Sequence, residues 1–221
     1  MAPTATGSLP TTPAWEAASH DARFRLHSEG DPVPGRACTE AGDCFRSDDD
    51  GYVVVTGLER GRHTLQIRRP DGLPTLLPLF VEQDLYAAHE AYTYSERGFL
   101  DWFLGDASWY QASTGVVDVW VLDGSAYGPP AIEGARIDAS AGEIWVSPNG
   151  FALEAGSVTR GGPNWIVNVP PGTVQIEVTL PDGDCWFGPF GWPAAGSAAV
   201  VEVPVQAGFV TTLGIRCAPG F

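Results

Sequence analysis

The chain is organised around residues 168–178, NVPPGTVQIEV, in which a Pro-Pro-Gly turn leads into alternating apolar and polar residues. Residues 56–67, TGLERGRHTLQI, repeat this pattern, with Gly61 at the position of Gly172, 111 residues earlier in the chain. A glycine turn followed by a period of two is typical of a β-strand with one buried face. Two copies of this pattern predict two domains of one kind.

The composition supports a folded, turn-rich protein. The 221 residues accommodate two domains of about 100 residues each. Gly 27 and Pro 19 favour frequent turns, while 44% hydrophobic residues with 8 Trp argue against disorder. Short apolar stretches roughly 8–12 residues apart, separated by Gly, Pro and Asp, predict an all-β fold of two antiparallel β-sandwiches.

The pattern also predicts the domain organisation. Residues 1–20 are expected to form a flexible Pro/Thr-rich tether, 21–92 the first sandwich, 93–112 a short helical connector and 113–221 the second sandwich. The apolar residues between Ser95 and Gly105 fit about two helical turns. In the second copy an insertion is expected around 141–156, and residues 165–169 are expected to pair with 174–180 as a hairpin.

The charge excludes several classes of partner. The formal net charge is −15, and all twelve cationic side chains are Arg, nine of them before Gly98. Nucleic acid and anionic membrane surfaces would be repelled, because binding them requires clustered cations. No run of 18 apolar residues is present, so no membrane insertion is expected.

Four cysteines allow three disulfide connectivities. If the two halves are separate domains, the simplest pairing is Cys38 with Cys44 and Cys185 with Cys217, which implies an oxidising compartment. The alternative is four reduced core thiols in a cytosolic protein.

Each copy also resembles a known family. The resemblance depends on residues 34–37, 47–53 and 57–65 of the first copy, PGRA, SDDDGYV and GLERGRHTL, and on residues 133–135 and 168–174 of the second, EGA and NVPPGTV. Both resemble the carboxypeptidase regulatory-like domain, a transthyretin-like (prealbumin-like) β-sandwich, and the tandem is similar to bacterial secreted or lipid-anchored surface proteins. The resemblance implies a sandwich of seven or eight strands without peptidase activity, located outside the cell, in the periplasm or at the cell surface of a bacterium.

No residue set predicts a catalytic centre or a cofactor site. The four His lie far apart without a His-Glu-x-x-His motif, and the Gly-x-Ser-x-Gly motif of serine hydrolases is absent. The remaining alternative is an enzyme whose site is assembled from sandwich loops, because sequence motifs do not reveal such a site. Asp48 and Asp50 form a weak calcium candidate, against the alternative of a hydrogen-bonded turn.

The aromatic loop at residues 185–193 is the strongest ligand candidate. Trp186, Phe187, Phe190 and Trp192 stand on a Gly/Pro-rich loop, where flat rings could stack on sugars or a peptide. The alternative is that the rings fold over the end of the sandwich. The sequence therefore predicts a non-catalytic protein for adhesion, display or assembly through a protein partner or self-assembly. A carbohydrate-binding module for a polysaccharide is the alternative function.

Overall fold

The computed structural model describes residues 19–28, 31–85, 90–95, 111–124, 132–147, 153–188, 190–194 and 200–219. Every regular element within these ranges is a β-strand, so the prediction of an all-β chain is confirmed for them. Residues 1–18 of the predicted tether and residues 96–110 of the predicted helical connector lie outside the described residues. Within the described part, no helix is long and apolar enough to cross a membrane.

The first copy contributes eight strands. They are β1 His20–Ser28, β2 Asp31–Pro32, β3 Arg36–Cys38, β4 Cys44–Arg46, β5 Tyr52–Leu58, β6 Gly61–Arg68, β7 Thr75–Val81 and β8 Glu90–Tyr92. β1 and β5 bury alternate side chains, as expected for strands that cover one core.

The second copy contributes eleven. They are β9 Gly115–Asp123, β10 Glu133–Ala139, β11 Glu143–Val146, β12 Glu154–Ala155, β13 Val158–Arg160, β14 Asn164–Val169, β15 Gly172–Thr179, β16 Gly183–Phe187, β17 Trp192–Pro193, β18 Val200–Val205 and β19 Val210–Pro219. β15 follows the predicted alternation, with Val174, Ile176 and Val178 buried between exposed residues.

The strands form three sheets. The first sheet has the order β2-β1-β5, with β8 also paired to β1, and the second has the order β13-β10-β15-β18-β17. The third and largest runs β12-β11-β14-β9-β19-β7-β6-β3-β4, with β16 also paired to β19. Strands of both copies therefore lie in one ten-stranded sheet.

The predicted hairpin of residues 165–169 and 174–180 is wrong. β14 pairs with β9 and β11, whereas β15 pairs with β10 and β18 in another sheet. Asn168 with φ 55° and Gly172 with φ 142° bend the chain between the two sheets. Gly57 near the end of β5 and Gly61 at the start of β6 also have positive φ, and these two strands likewise belong to different sheets. The repeated turn is a crossover between facing sheets.

The two copies share one strand order. β1 and β5 of the first copy correspond to β9 and β14 of the second, and β3, β6 and β7 correspond to β10, β15 and β18. β8 runs parallel to β1, as β19 runs parallel to β9. These parallel pairs depart from the predicted antiparallel sandwiches, because the period of a strand does not reveal the direction of its neighbour.

β19 joins the copies. It pairs with β9 from Val210 opposite Val116 to Cys217 opposite Asp123, and it also pairs with β7 at Val210 and Thr211. Each copy has its own buried cluster, but a third cluster combines Trp165 and Val210 with Leu73 and Tyr94. The predicted domain boundaries stay a prediction, because the ten-stranded sheet and this third cluster cross them.

Candidate functional site

β5 lies at the edge of its sheet in the described part of the first copy. β5 pairs with β1 on one side, and no described residue pairs with it as a strand on the other. Phe24 and Ala22 of β1 lie opposite Val53 and Val55. The N–H and C=O groups of Tyr52 instead form hydrogen bonds with Asp48, on the side away from β1. Because the direction of these backbone groups alternates along a strand, the N–H and C=O groups of Val54 also point away from β1. The Val54 side chain is 43% exposed.

The corresponding edge in the second copy is covered. β11 pairs antiparallel with β14, from Glu143 opposite Val167 to Val146 opposite Asn164, on the side away from β9. Trp145 lies opposite Trp165, and β12 extends the sheet beyond β11. Among the described residues, the second copy thus contains a covering strand that has no counterpart at β5 of the first.

The insertion predicted around 141–156 accounts for this difference, because it contains β11 and β12. In the first copy the chain turns back after β3 and continues as β4, which pairs with β3 in the ten-stranded sheet. The disulfide between Cys38 and Cys44 links β3 to β4. The short segment therefore stays beside β3 and does not pair with the edge of β5.

A groove lies between β4 and β5. It is an open cavity of about 340 Å³, to which Phe45 and Leu58 contribute apolar surface and Thr56 a hydroxyl-bearing side chain. Glu40, Asp43 and Glu59 also line it, so its charge is negative. The combination of a free strand edge, an apolar lining and an acidic rim fits an extended segment with basic flanks.

The predicted calcium residues form a turn at the start of β5. Asp48 Oδ1 accepts hydrogen bonds from the Asp50 N–H at 3.0 Å and the Tyr52 N–H at 2.8 Å. The Asp50 carbonyl accepts one from Arg25 Nε at 2.9 Å. The described residues contain no group of three or more His, Cys, Asp or Glu side chains able to hold a metal ion. Calcium binding stays an untested prediction.

The aromatic loop does not bring its four rings together on one surface. Phe190 is buried in the core of the first copy, where its ring lies 6.4 Å from that of Phe24 in an edge-to-face arrangement. Phe187 packs against the core of the second copy. Trp192 is half-buried and donates from Nε1 to the His63 carbonyl at 3.2 Å, while Trp186 is 38% exposed.

The loop instead connects the two copies. Besides Phe190 and Trp192, Arg62 of the first copy donates to Glu202 Oε2 at 2.6 Å and to the Pro193 carbonyl at 3.0 Å. The guanidinium carbon of Arg62 also lies 5.5 Å from the Trp192 ring centre. The second disulfide, between Cys185 and Cys217, links β16 to β19 beside this loop. Both disulfides have the pairing expected from the sequence.

A buried carboxyl group, which the sequence does not reveal, lies where the copies meet. Asp118 Oδ2 accepts hydrogen bonds from the Tyr94 hydroxyl at 2.6 Å and from Trp120 Nε1 at 2.7 Å, while Oδ1 has no hydrogen-bond partner among the described residues. Burial raises the pKa of Asp118 to about 7, although both hydrogen bonds lower it. The Tyr94 pKa is raised well above its ordinary value, first by burial and then by Asp118.

This cluster is enclosed by aromatic rings. Tyr92 stacks on Trp120 with ring centres 4.3 Å apart, and Tyr94 meets Trp165 edge-on at 4.8 Å. Asp118 is fully buried, so it is not open to a substrate. It lies between β9 of the second copy and residues 92–95 of the first, where it forms part of the buried contact between the copies.

The histidines are not brought together. His20 Nδ1 lies 3.2 Å from Asp84 Oδ1, His27 is buried beside Tyr92, and His63 Nε2 lies 2.7 Å from the Glu59 carbonyl oxygen. His89 lies outside the described residues. The arrangement of these three side chains does not correspond to a zinc or acid–base centre.

Comparisons with known proteins do not identify this chain. No family model matches it, and no curated protein matches it. Among solved structures, the Bacillus anthracis TIE protein overlaps 91% of this chain at 10% identity and a TM-score of 0.31, and the chain covers 34% of that protein. The minor pilin GBS52 of Streptococcus agalactiae overlaps 90% of this chain and 96% of its own length, at 13% identity and a TM-score of 0.30.

The major pilin subunit BcpA of Bacillus cereus gives a similar result. It overlaps 90% of this chain and 99% of its own length, at 9% identity and a TM-score of 0.30. Overlaps of this quality carry no inference about fold or function. The resemblance of each copy to the carboxypeptidase regulatory-like domain likewise stays a prediction.

Proposed function

We propose that this chain is a non-catalytic secreted or cell-surface protein that assembles with a protein partner by accepting an extended strand at β5. The observation that carries this proposal is the open edge of β5, because the equivalent edge of β14 is covered by β11. A strand added to a sheet edge gains main-chain hydrogen bonds, and side-chain pockets supply the specificity.

The covered edge of the second copy indicates the chemistry of the partner. β11 has the sequence EIWV and runs antiparallel to β14. β-branched and aromatic side chains of this kind fit a half-buried sheet surface. At β5 the groove is lined by Glu40, Asp43 and Glu59, so we expect basic residues beside the apolar segment.

The cysteines support the proposed cellular location, and the charge bears on the kind of partner. Both disulfides are formed within one chain, and such bonds persist in oxidising compartments. The proposed location is therefore extracellular, periplasmic or at the cell surface of a bacterium. A net charge of −15 favours solubility and does not favour binding to nucleic acid.

A strand probe tests the proposal. A labelled peptide carrying residues 141–148, AGEIWVSP, with added flanking arginines is titrated with the intact protein, and its fluorescence anisotropy is measured. We expect saturable binding that Val54→Pro weakens at least about tenfold, because proline removes the outward N–H of the edge. Sedimentation velocity on the unmixed protein reports self-assembly through the same edge.

Val54→Thr is the matched control, since it keeps the backbone N–H and nearly the same shape. Circular dichroism verifies that both variants are folded. Equal binding by Val54→Pro and Val54→Thr would contradict docking at β5, as would the absence of both peptide binding and self-association in the unmodified protein.

The carbohydrate alternative depends on Trp186, which is one of the three exposed large apolar side chains among the described residues. A single exposed ring offers one stacking contact, because Phe190 is buried and Trp192 is engaged with Arg62 and His63. A saturable change in tryptophan fluorescence on titration with soluble polysaccharides, lost in Trp186→Ala, would support this alternative. A flat response across the polysaccharides would reject it.

A further inference from the structure

Three arginines form a row on the outer face of the ten-stranded sheet. Arg36 lies directly opposite Arg46 on one neighbouring strand and opposite Arg68 on the other. The next residue, Ala37, is buried in the core, so the arginines are on the opposite, exposed face. Residues directly opposite on paired strands are about 5 Å apart, and like charges at that distance are destabilising.

Within the part of the chain that the structure describes, no carboxylate forms an ion pair with this row. Among the described residues, none of Arg36, Arg46, Arg68 and Arg69 forms an ion pair. Arg68 Nη2 donates to Gln66 Oε1 at 3.2 Å, and Arg69 Nη1 donates to Thr93 Oγ1 at 3.3 Å; both are neutral acceptors. These two bonds orient the guanidinium groups without neutralising them.

In the second copy, arginines on the corresponding strands form ion pairs with carboxylates. Arg136 on β10, the counterpart of β3, pairs with Asp138 at 2.8 Å. Arg160 on β13, the counterpart of β4, pairs with Glu154 at 3.5 Å. In a chain with 27 acidic and only 12 basic residues, four unpaired arginines in one place depart from the rest of the surface. Proteins often keep locally unfavourable arrangements of this kind at functional sites.

The four arginines line one open cavity. Its volume is about 470 Å³, and Pro34, Gly35, Ser47 and Pro70 complete the lining. Ser47 Oγ accepts a hydrogen bond from the Gly35 N–H at 3.0 Å, which links two sides of the lining. A cavity of this volume is in the range of small-molecule sites.

We infer that this arginine cavity binds a small anion with at least two negatively charged carboxylate or phosphate groups. Guanidinium groups bind both kinds of oxyanion through paired N–H donors. A long polyanion fits poorly, because Asp48 and Asp71 directly follow the lining residues Ser47 and Pro70 and the whole chain is strongly acidic. This inference is independent of strand docking at β5.

Calorimetric titration tests the inference with two probes, citrate for carboxylates and pyrophosphate for phosphates, against chloride at matched ionic strength. We expect saturable binding of at least one probe at one site per chain, weakened by added salt. Arg36→Gln is expected to reduce the affinity at least about tenfold, because it removes the central member of the row.

Arg60→Gln is the charge-matched control, since Arg60 is exposed and does not line the cavity. Without anion, Arg36→Gln is also expected to raise the melting temperature by roughly 1–3 °C by relieving repulsion, and Arg60→Gln is not. The inference is overturned if neither probe binds, or if both variants lose affinity equally. Binding confined to a long polyanion such as polyglutamate would equally reject a small-ligand site.

Discussion

The two copies have the same strand order but differ in how far their sheet edges and outer faces are covered. β14 is covered by β11, whereas β5 has no second partner among the described residues. The outer face of β9 is buried at Asp118, whereas that of β1 exposes Arg23 and leaves Arg25 half-buried. β19 has ten residues and β8 three. The second copy is thus the more fully enclosed, and the first presents the open edge and the unpaired arginines.

This difference separates a more enclosed copy from one whose edge and charged side chains are exposed. A covered edge and a buried outer face stabilise the second copy, while the first copy gains rigidity from β19 and from the aromatic loop of its neighbour. Exposed edges and unpaired charges are tolerated where other contacts hold the strands in place. The comparison therefore predicts that the first copy depends on the second for its stability.

The largest expected effect is that of Phe190→Ala. This side chain belongs to the second copy but fills the core of the first, so its removal is expected to cost about 3–5 kcal/mol. Residues 21–92 contain no Trp, so tryptophan fluorescence reports mainly the second copy, and hydrogen exchange reports β1 and β6 separately. We expect the unmodified protein to unfold in one transition and Phe190→Ala to lose protection first in β1 and β6.

Phe187→Ala, which removes a half-buried ring from the other core, is the control for that experiment. Protection lost mainly in the second copy of Phe190→Ala, or two separate transitions in the unmodified protein, would contradict the dependence of the first copy on the second.

Asp118→Asn is expected to have an intermediate effect that depends on pH. The pKa of Asp118 is raised from 3.8 to about 7 by burial, so the folded protein holds a proton that the unfolded chain has lost between these values. The stabilising contribution is fully present below about pH 4 and is lost as the pH rises through about 7. Urea unfolding is expected to show stability falling by about 2–4 kcal/mol across this window.

In Asp118→Asn that fall should disappear, and the variant should exceed the unmodified protein in stability at pH 8. The Asn side chain keeps an acceptor for Tyr94 and Trp120. Asp138→Asn is the control because Asp138 is on the exposed face of β10 and its pKa is lowered by Arg136. A pH profile that Asp118→Asn leaves unchanged would show that this carboxyl group is not the source.

The smallest expected effect is the difference between the two disulfides. The sequence separation is 6 for Cys38 and Cys44 and 32 for Cys185 and Cys217. Loop-closure entropy makes the longer loop more stabilising by about 1–2 kcal/mol. Paired Cys→Ser variants compared by urea unfolding should therefore show the greater loss for Cys185 and Cys217, and equal or reversed losses would contradict this reasoning. The Cys38 and Cys44 variant should also alter peptide binding at β5, since β4 borders the groove.

Much of the local structure could be predicted from the chain. Val174, Ile176 and Val178 alternate with polar residues, and they are buried as expected on β15. The longer spacing between Gly134 and Gly172 predicts an insertion, which forms β11 and β12. Four cysteines leave three pairings open, and the one expected if the two halves are separate domains is the one observed. The sequence shows four aromatic residues in the loop at 185–193, but its local pattern does not determine whether their rings stack on a ligand or pack inside.

The candidate sites could not be predicted from the sequence, because each is formed by residues that are far apart along the chain. Val117, Val119 and Val121 alternate with Asp118, which a one-sided strand would place in solvent, and burial by residues 92–95 changes its pKa. Arg36, Arg46 and Arg68 are scattered in sequence and become neighbours through register alone. The only sequence signal for the open β5 edge is that the first copy lacks the insertion.

The sequence by itself determined that the chain forms β-strands, that a glycine turn followed by an alternating strand occurs twice, and where other glycine turns interrupt the strands. These properties depend on residues that are neighbours along the chain, through backbone sterics and side-chain periodicity. Only the tertiary structure decided that β19 pairs with both copies, that Phe190 enters the other core, and that β5 has a single strand partner among the described residues. Strand pairing depends on every surface competing for burial, and that competition cannot be evaluated from local pattern.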